Sequence, residues 1–262
     1  MKTVFITGAS SGIGAALAER YASEGAVLGL VARREDMLEQ LRQGLPNPER
    51  HKIYALDVTD HAALTAAAMD FIDVTGVVNI VIANAGISVG TLSEFTEDLP
   101  VFARVMETNV LATVATFAPF IAHMKKHVQH EACRLVGIGS VAGIRGLPGA
   151  EAYSASKAAV ISYCESLRVE LRASGIKVVT IAPGYIDTPM TKINKYPMPF
   201  LLSAEMFAVT ALHTIAAGNS YRVIPWQMGV VAKLLRMLPN WLYDRLFSKA
   251  PHKIRASGHG IN

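Results

Sequence analysis

Short apolar runs alternate along the chain with longer stretches in which apolar residues recur at helical spacing. Nearly every position is apolar in runs such as 27–32 and 80–83, which is typical of strands buried on both faces of a parallel sheet. This order of strand and helix indicates repeated βαβ units. The predicted strands are Thr3 to Thr7, Val27 to Ala32, Lys52 to Leu56, Asn79 to Ala83, Leu135 to Gly139, Lys177 to Ala182 and Tyr221 to Ile224.

Helices are predicted between these strands, and together the elements define the fold class. The first helix follows Gly12 and ends at Gly25, where a glycine suits a left-handed cap. Two longer helices are expected over Phe102 to Lys126 and Ala152 to Ala173. Seven parallel strands with interleaved helices predict a doubly wound α/β fold with helices on both faces, whose ligands bind at the carboxyl ends of the strands.

Length and composition fit one large domain. The chain has 262 residues, of which 51% are hydrophobic and 18% charged, as a sheet covered on both faces requires. Its net charge of +4 comes from scattered Lys and Arg, so nucleic-acid binding is not expected. The amino end enters a strand directly and no run reaches about 18 uncharged apolar residues, so we expect neither a signal peptide nor a membrane-spanning helix. Cys133 and Cys164 lack metal-ligand spacing, which favours a reducing, cytoplasmic setting.

The last third of the chain carries segments expected to shape a substrate site. Four prolines and a glycine interrupt the pattern between Pro183 and Pro199, and we interpret 183–202 as a lid. Residues 226–248 predict amphipathic helices, which suit packing over a substrate pocket, a subunit interface or peripheral contact with a membrane. Their apolar face comprises Val230, Val231, Leu234, Leu235 and Leu238. A single domain of residues 1–254 is expected, followed by a disordered tail, 255–262.

A glycine-rich run follows the first predicted strand and reads Thr7-Gly8-Ala9-Ser10-Ser11-Gly12-Ile13-Gly14. Glycines allow a tight turn and the close approach of a pyrophosphate, and the helix that begins here offers amide donors and the positive end of its dipole. The spacing differs from the common Gly-x-Gly-x-x-Gly, so a purely structural turn is the alternative. We interpret the run as the phosphate-binding loop of a dinucleotide site.

The end of the second predicted strand indicates which dinucleotide binds. NAD sites carry an acidic residue about 20 positions after the glycine motif, which binds the ribose hydroxyls. Here Ala32 stands near that place, followed by Arg33 and Arg34. A guanidinium holds a 2′-phosphate bidentately, whereas a carboxylate repels it. The sequence therefore predicts NADP(H), with Arg33 the main contact and Arg34 the second; the alternative is that both arginines only cap a strand end in solvent.

Tyr153 and Lys157 lie four residues apart in a predicted helix, and Ser140 precedes them. Positions i and i+4 share one helix face, so the Lys157 ammonium is expected to lower the pKa of the Tyr153 phenol, ordinarily about 10. Tyr153 would act as general acid in carbonyl reduction and as base in alcohol oxidation. Ser140 would donate to the substrate oxygen as negative charge develops. Alone, a Tyr-x-x-x-Lys pair is usually a solvated helix face.

Together these residues resemble the short-chain dehydrogenase/reductase family, in its short single-domain branch. The resemblance covers roughly Lys2 to Met190 and implies a Rossmann fold, a nicotinamide dinucleotide and a homodimer or homotetramer. It rests on the glycine run, Asp57-Val58, Asn84-Ala85-Gly86, Asn109, Ser140, Tyr153 with Lys157, and Pro183-Gly184 with Thr188. Ala83 departs from the pattern, since many relatives carry a second Asn there.

The resemblance also implies roles for single residues. Asp57 would contact adenine, Asn84 would stabilise the central strand, and Thr188 would touch the nicotinamide amide. Asn109 would hold a water that links Lys157 to solvent, although a mid-helix Asn can also bond only locally. The expected cofactor-binding residues are Gly8, Ser10, Ser11, Gly12, Ile13, Gly14, Arg33, Arg34, Asp57, Val58, Asn84, Ala85, Gly86, Tyr153, Lys157, Pro183, Gly184, Ile186 and Thr188. The expected catalytic residues are Ser140, Tyr153, Lys157 and Asn109.

Three closely spaced histidines suggest a metal site, but their neighbouring residues argue against one. His123, His127 and His130 lie beside Lys125 and Lys126 near a predicted helix end, where cations suit the helix dipole. We expect a solvated helix end and no metal site.

The sequence therefore predicts an NADPH-dependent oxidoreductase that reduces the carbonyl of an apolar ketone or aldehyde, reversibly. The apolar residues after Pro183 favour such a substrate, and they are Met190, Ile193, Tyr196, Met198, Phe200 and Leu201. One alternative is a catalytically silent NADP(H)-binding sensor, against which the intact Ser140, Tyr153 and Lys157 set argues. Another is an epimerase or dehydratase, although such relatives commonly carry a larger carboxyl-terminal substrate domain.

Overall fold

Burial along the first strand shows how the sheet is covered. The computed structural model describes residues 1–194, 196–248, 253 and 255. Val4 and Ile6 join the apolar core on one face of the sheet, whereas Phe5 joins the core on the other, and all three are fully buried. Such a strand is apolar at every position because successive side chains enter opposite layers of helices.

The strands confirm the predicted α/β class. They are β1 (Thr3–Thr7), β2 (Val27–Ala32), β3 (Lys52–Ala55), β4 (Ile80–Ala83), β5 (Arg134–Ile138), β6 (Lys177–Pro183), β7 (Ile186–Asp187), β8 (Leu202–Ser203) and β9 (Tyr221–Ile224). Seven of them form one parallel sheet in the order β3-β2-β1-β4-β5-β6-β9, while β7 pairs with β8. All seven predicted strands are present with ends within one residue of the prediction. The short β7–β8 pair was not predicted.

Helices cover both faces of this sheet. They are α1 (Gly12–Ser23), α2 (Glu35–Gly44), α3 (His61–Thr75), α4 (Leu99–Met106), α5 (Ala112–His127), α6 (Glu151–Glu170), α7 (Pro189–Lys192), α8 (Ala204–Ala217), α9 (Trp226–Met237) and α10 (Asn240–Phe247). Residues of α1, α2 and α8 form the core on one face, and residues of α3, α5 and α6 form the core on the other. The helix predicted from Phe102 to Lys126 consists of α4 and α5 joined by a π-helical turn over Glu107–Leu111. Gly25 has a φ of +79° just beyond α1, in the left-handed region as predicted.

An aromatic cluster fixes the centre of the sheet. The Phe5 ring lies 5.6 Å from that of Phe71 in α3 and 5.0 Å from that of Phe120 in α5. A Cβ at Gly29 in β2 would meet the Phe5 ring at 2.8 Å, so only glycine leaves room for it. Full burial of each Phe contributes roughly 1.5–3 kcal/mol, and the cluster therefore anchors β1 against α3 and α5.

The strand order locates the ligand-binding crevice. It reverses between β1 and β4, the two strands at the centre of the sheet. Connections leave these strands towards opposite faces, which opens a crevice at their carboxyl ends. Those ends carry the glycine-rich run after β1 and the Asn84 segment after β4.

One helical segment, Thr96–His127, is long and apolar enough to cross a membrane by length and composition, and 44% of its most apolar window is buried inside the protein. Phe117, Phe120 and Met124 in this segment are fully buried against the sheet. Its apolar side is therefore that of a core helix. Charged residues interrupt the segment. The segment therefore does not supply the run of about 18 uncharged apolar residues that was sought in the sequence.

The amphipathic segment 226–248 forms α9 and α10, and its apolar face is only partly covered. Met228 and Ala232 are buried, whereas Val230 and Leu234 of the predicted face are 49% and 54% exposed. None of the five residues of the predicted face is buried, since Val231, Leu235 and Leu238 are only half-buried. The buried side of α9 is instead the one that carries Met228 and Ala232. Of the predicted disordered tail, Arg255 is described and is held by side-chain contacts. Residues 256–262 lie outside the described residues, where the tail stays a prediction.

Candidate active site

Glycines bring the loop after β1 against the segment after β4. Gly8 and Gly12 have φ values of +68° and +56°, which L side chains rarely adopt. A Cβ at Gly8 would lie 2.8 Å from the Ala85 Cα, and a Cβ at Gly14 would lie 2.1 Å from the Gly8 carbonyl oxygen. The loop can therefore form only with glycine at these places, and its amide groups surround the amino end of α1, where anions bind favourably.

Asn84 ties this loop to the centre of the sheet. Its Nδ2 donates to the carbonyl oxygens of Thr7 and Gly8 at 3.0 and 3.2 Å. In return, the N–H groups of Asn84 and Ala85 donate to the Thr7 hydroxyl at 3.1 and 3.2 Å. The sequence assigned no role to Thr7, and its only signal is its position as the last residue of β1. The four hydrogen bonds hold the two carboxyl ends in register.

The two arginines after β2 lie on the rim of the crevice and differ in their contacts. The Arg34 guanidinium donates to the hydroxyls of Ser10 and Ser11 at 3.1 and 3.2 Å, which places it directly over the glycine loop. Arg33 is half exposed and lies 3.9 Å from the Asp57 carboxylate. Arg34, predicted as the second contact, is therefore the one bound to the loop itself.

Asp57 stands at the end of β3 as an ionised acceptor. Burial works to raise the pKa of this carboxyl, but hydrogen bonds from the Thr59 N–H and hydroxyl, at 3.0 and 2.9 Å, together with the Arg33 charge hold the pKa below its usual value. An oriented carboxylate at this rim can accept a hydrogen bond from a ligand amine.

Ser140 lies just beyond β5 and beside Tyr153, with which its side chain forms a hydrogen bond. It caps the short 3₁₀ turn Val141–Gly143, and its Oγ accepts a hydrogen bond from the Ala142 N–H at 3.1 Å. The residue is buried. Because a hydroxyl can accept and donate at once, the Ser140 O–H can donate to the Tyr153 hydroxyl or to a ligand oxygen in the crevice.

Tyr153 and Lys157 project from α6 beside Ser140. The Lys157 ammonium is buried, donates to the Ile138 carbonyl at 2.8 Å and lies 5.8 Å from the centre of the Tyr153 ring. Burial lowers the pKa of Lys157 to about 8. Burial also raises the pKa of Tyr153, and a hydrogen bond with Ser140 opposes this only in part. The direction is opposite to the sequence prediction, because burial dominates in the cofactor-free protein and the Lys157 ammonium is directed at a carbonyl oxygen.

Asn109 lies behind the crevice in the π-helical turn. Its Oδ1 accepts from the Ile87 N–H at 2.8 Å, and its Nδ2 donates to the Ile87 carbonyl at 3.0 Å and to the Ser156 hydroxyl at 2.9 Å. A Cβ at Gly86 would lie 3.1 Å from Oδ1 and 3.5 Å from the Lys157 Nζ. The amide thus positions the strand end that passes Lys157. Such π turns often occur at functional sites; the water-holding role stays a prediction.

These groups converge on one cleft of about 1220 Å³. Its volume exceeds the roughly 300–1,000 Å³ of a drug-sized ligand pocket, so it can hold a dinucleotide and a further molecule. All predicted site residues line it except Gly14 and Asn109, which lie beneath its surface. The glycine floor, which any Cβ would fill, and the flanking Asp57 and Arg34 fit a nicotinamide dinucleotide.

Arg145, which the sequence did not single out, attaches the carboxyl-terminal helices to the loop after β5. Its guanidinium donates to the Leu238 carbonyl at 2.7 Å and to the Asn240 side chain at 3.2 Å, and it lies 3.9 Å from the centre of the Tyr243 ring. The Tyr243 hydroxyl donates to the Gly146 carbonyl at 2.6 Å. Helices α9 and α10 therefore contact the loop after β5, which also carries Ser140.

Two of the three histidines considered for metal binding lie side by side on α5. The rings of His123 and His127 lie 4.7 Å apart, and burial, followed by the His127 charge, lowers the pKa of His123. No group of three potential metal ligands occurs among the residues that the structure describes.

Comparison with known proteins agrees with this geometry. The family model described as short chain dehydrogenase matches residues 2–197. An uncharacterized oxidoreductase of Myxococcus xanthus is 34% identical over 244 residues, covering 93% of this chain and 95% of that protein. The dehydrogenase/reductase SDR family member 7B of Bos taurus is 32% identical over 275 residues, covering 98% of this chain and 83% of that protein.

Solved structures show the same fold with nicotinamide dinucleotides. The 3-ketoacyl-(acyl-carrier-protein) reductase from Brucella melitensis complexed with NADH has a TM-score of 0.78 and 26% identity, and the alignment covers 85% of this chain and 96% of that one. ElxO with NADP bound has a TM-score of 0.74 and 25% identity, with the same coverage. A nicotinamide dinucleotide cofactor is therefore supported, and the chain belongs to the short-chain dehydrogenase/reductase family of oxidoreductases.

Proposed function

We propose that this protein is an NADPH-dependent carbonyl reductase that also catalyses the reverse alcohol oxidation. The observation that carries the proposal is the meeting of Ser140, Tyr153 and Lys157 in the cleft that the glycine loop also lines. The cofactor supplies a hydride to a carbonyl carbon when it is bound. The carbonyl oxygen then needs a proton and a hydrogen-bond donor, and these residues provide both.

Each catalytic residue has a defined task in reduction. Ser140 turns its O–H from Tyr153 to the carbonyl oxygen, where negative charge develops. Tyr153 transfers its phenolic proton to that oxygen, and the raised pKa keeps the phenol protonated beforehand. Lys157, whose pKa of about 8 leaves it mostly charged near pH 7, stabilises the phenolate that results. The protonation states of the cofactor-free site thus favour reduction at neutral pH.

Tyr153→Phe tests this assignment against a sensor that binds the cofactor without turnover. The variant is expected to reduce a panel of apolar aldehydes and ketones about 10²- to 10⁴-fold more slowly, since it lacks the general acid, and to retain NADPH binding, since it loses one of many expected cofactor contacts. Tyr221→Phe, an exposed tyrosine at the sheet edge, is the matched control. Tight NADPH binding by the wild type with no turnover of any carbonyl would favour the sensor.

The preference for NADPH follows from the two arginines on the rim. Charge-assisted hydrogen bonds contribute about 1.5–3 kcal/mol, so Arg33→Ala and Arg34→Ala are each expected to weaken NADPH binding about tenfold or more while NADH binding stays weak. Titration followed by nicotinamide fluorescence measures both affinities. Arg20→Ala, which removes a half-buried arginine that is paired with Glu24 and lies outside the cleft, is the control. Equal affinity of the wild type for the two cofactors would overturn the preference.

The apolar character of the substrate is supported by the segment 183–202. Met190 lines the cleft, and Ile193, Phe200 and Leu201 on the same segment are exposed apolar side chains. An apolar rim beside a cleft favours a hydrophobic ligand. We propose that the segment closes over the substrate as a lid. Activity confined to small polar ketones would contradict the proposed apolar substrate and the lid proposed to close over it.

Assembly and location are part of the proposal. A homodimer or homotetramer in the cytoplasm is expected. Light scattering tests the oligomeric state, and cell fractionation tests the location. The outer side of α9 and α10 exposes Trp226, Met237 and Trp241 beside basic residues, which supports peripheral contact with an anionic membrane. Sedimentation with anionic vesicles tests that contact. A protein that stays in solution, with Trp241→Ser dissociating the oligomer, would assign this side to a subunit interface.

A further inference from the structure

Arg255 fastens the carboxyl-terminal segment beside the catalytic residues. Its guanidinium donates to both carboxylate oxygens of Asp98 at 2.9 and 3.1 Å and lies 3.5 Å from the centre of the Phe95 ring. Its backbone forms a bridge with Gly90. Asp98 is buried, and hydrogen bonds from Arg255 and from the Leu92 N–H hold its pKa below the usual value. A bidentate guanidinium–carboxylate pair is a directional anchor.

This anchor places Lys253 at the catalytic tyrosine. The Lys253 ammonium donates a hydrogen bond to the Ser88 hydroxyl and lies 5.3 Å from the centre of the Tyr153 ring. The corresponding distance from Lys157 is 5.8 Å, so two cations flank one ring. Because the Tyr153 hydroxyl is proposed to meet the substrate oxygen, an ammonium this close to the ring is within reach of another group on the same substrate.

Lys253 has no counter-charge among the described residues. Burial lowers its pKa to about 8, which leaves the ammonium mostly charged near pH 7. Its hydrogen-bond partner is a neutral hydroxyl, and within 1–194, 196–248, 253 and 255 no carboxylate forms an ion pair with it. An ammonium drawn out of water is stabilised when an anion pairs with it.

We propose that Lys253 is a specificity-determining residue, which pairs with an anionic group on an otherwise apolar carbonyl substrate. The substrate class is an oxo acid with an apolar chain or ring. Its carbonyl oxygen meets Ser140 and Tyr153, its apolar body lies under the segment 183–202, and its carboxylate meets Lys253. This assignment rests on the proposed carbonyl reduction for its catalytic part and on the geometry of Lys253 for its binding part.

The kinetic test compares an acid with its neutral ester. The wild type, Lys253→Met and Lys253→Arg are assayed with 2-oxo-4-phenylbutanoate and its methyl ester, and kcat/KM is measured for each. The ratio of acid to ester is expected to fall about 10- to 100-fold in Lys253→Met and to recover largely in Lys253→Arg. Arg255→Ala, which keeps Lys253 but removes its anchor, is expected to lower the ratio as well. Lys233→Met, an exposed lysine on α9, leaves it unchanged.

A binding test keeps the inference separate from turnover. Octanoate and octanamide share an apolar chain and differ in charge, and calorimetry measures their affinity for the wild type and Lys253→Met. Octanoate is expected to bind the variant about tenfold or more weakly, whereas octanamide binds both proteins equally. Equal octanoate affinity, or no octanoate binding by the wild type, overturns the role of Lys253.

The two tests separate the possible failures. If octanoate binding depends on Lys253 while neither ketone is reduced, the anion site stands and carbonyl reduction is wrong. If the ester is reduced and the acid-to-ester ratio is the same in all variants, carbonyl reduction stands and Lys253 has no part in substrate choice.

Discussion

Replacing Asn109 by alanine removes a buried amide that joins three parts of the active site. The side chain is fully buried and makes three hydrogen bonds, two to the Ile87 backbone and one to Ser156. The variant leaves an N–H, a carbonyl and a hydroxyl without this partner. Each buried group that loses its partner costs about 1–3 kcal/mol, and contributions within one network are not additive.

We therefore expect Asn109→Ala to lower the free energy of unfolding by about 3–5 kcal/mol. Typical domains have only about 5–15 kcal/mol in total, so the loss is readily measured. Asn109→Asp keeps an acceptor for the Ile87 N–H but loses both donated hydrogen bonds, and its loss should be smaller before any charge effect. Because Ile87 lines the cleft, NADPH affinity should fall in parallel with stability.

Urea denaturation at fixed protein concentration measures the stability of each variant, and fluorescence titration measures NADPH affinity. Asn219→Ala, an exposed asparagine beyond α8, is the matched control and should stay within about 0.5 kcal/mol of the wild type. An Asn109→Ala protein that is equally close to the wild type would refute the reasoning, since the three hydrogen bonds would then contribute nothing net.

Three further predictions concern other parts of the fold. Burial lowers the pKa of Lys157 to about 8 from an ordinary 10.5, so between these pH values the unfolded chain binds more protons and the free energy of unfolding rises with pH. Urea denaturation should show the wild type gaining stability relative to Lys157→Met from pH 7.5 to 9.5. A constant difference between the two proteins would contradict the burial of Lys157. Gly14→Ala, whose Cβ would lie 2.1 Å from a carbonyl oxygen, should abolish NADPH binding and lower Tm, whereas Gly44→Ala, which has open space around it, should leave both intact in the same assays. Burial raises the pKa of the Cys133 and Cys164 thiols, so Ellman's reagent should label neither at pH 8 until urea unfolds the protein; rapid labelling of the native protein would show that a thiol is accessible.

The sheet was predictable because its signal is local. A strand buried on both faces must be apolar throughout, and the run 27–32 shows this without reference to any other part of the chain. The same holds for the glycine loop and for Tyr153 with Lys157, whose spacing places them on one helix face. Chemistry that depends on near neighbours in the sequence can therefore be inferred from the sequence.

The contacts that were not predicted from the sequence join residues that are far apart along the chain. Thr7 and Asn84 are separated by more than seventy residues yet share four hydrogen bonds with their neighbours. The anchor between Arg255 and Asp98 spans 157 positions. No pattern of period two or 3.6 encodes such pairs, since each depends on how the whole chain folds. The lowered pKa expected for Tyr153 failed for the same reason, because the depth of burial follows from tertiary packing.

The π-helical turn and the outer side of α9 show a second limit. A π turn adds a residue to a helix without a distinctive composition, so the prediction ran α4 and α5 together. Helix α9 has apolar residues around more of its surface than one neighbouring element can cover. The sequence alone therefore does not show which of these residues are buried. Met228 is buried and Val230 is exposed, although both are apolar.

The attachment of α9 and α10 through Arg145 and Tyr243 makes the enzyme modular. The parallel sheet is complete at β9, and the glycine loop, the two rim arginines and Asn84 follow strands of its first half. The helices that follow β9 contact the loop after β5, and Lys253 lies beside the Tyr153 ring. Exchange of this last part between relatives, with Arg145 and its contacts retained, is therefore a route to altered substrate range at constant coenzyme use, and natural divergence can proceed along the same route.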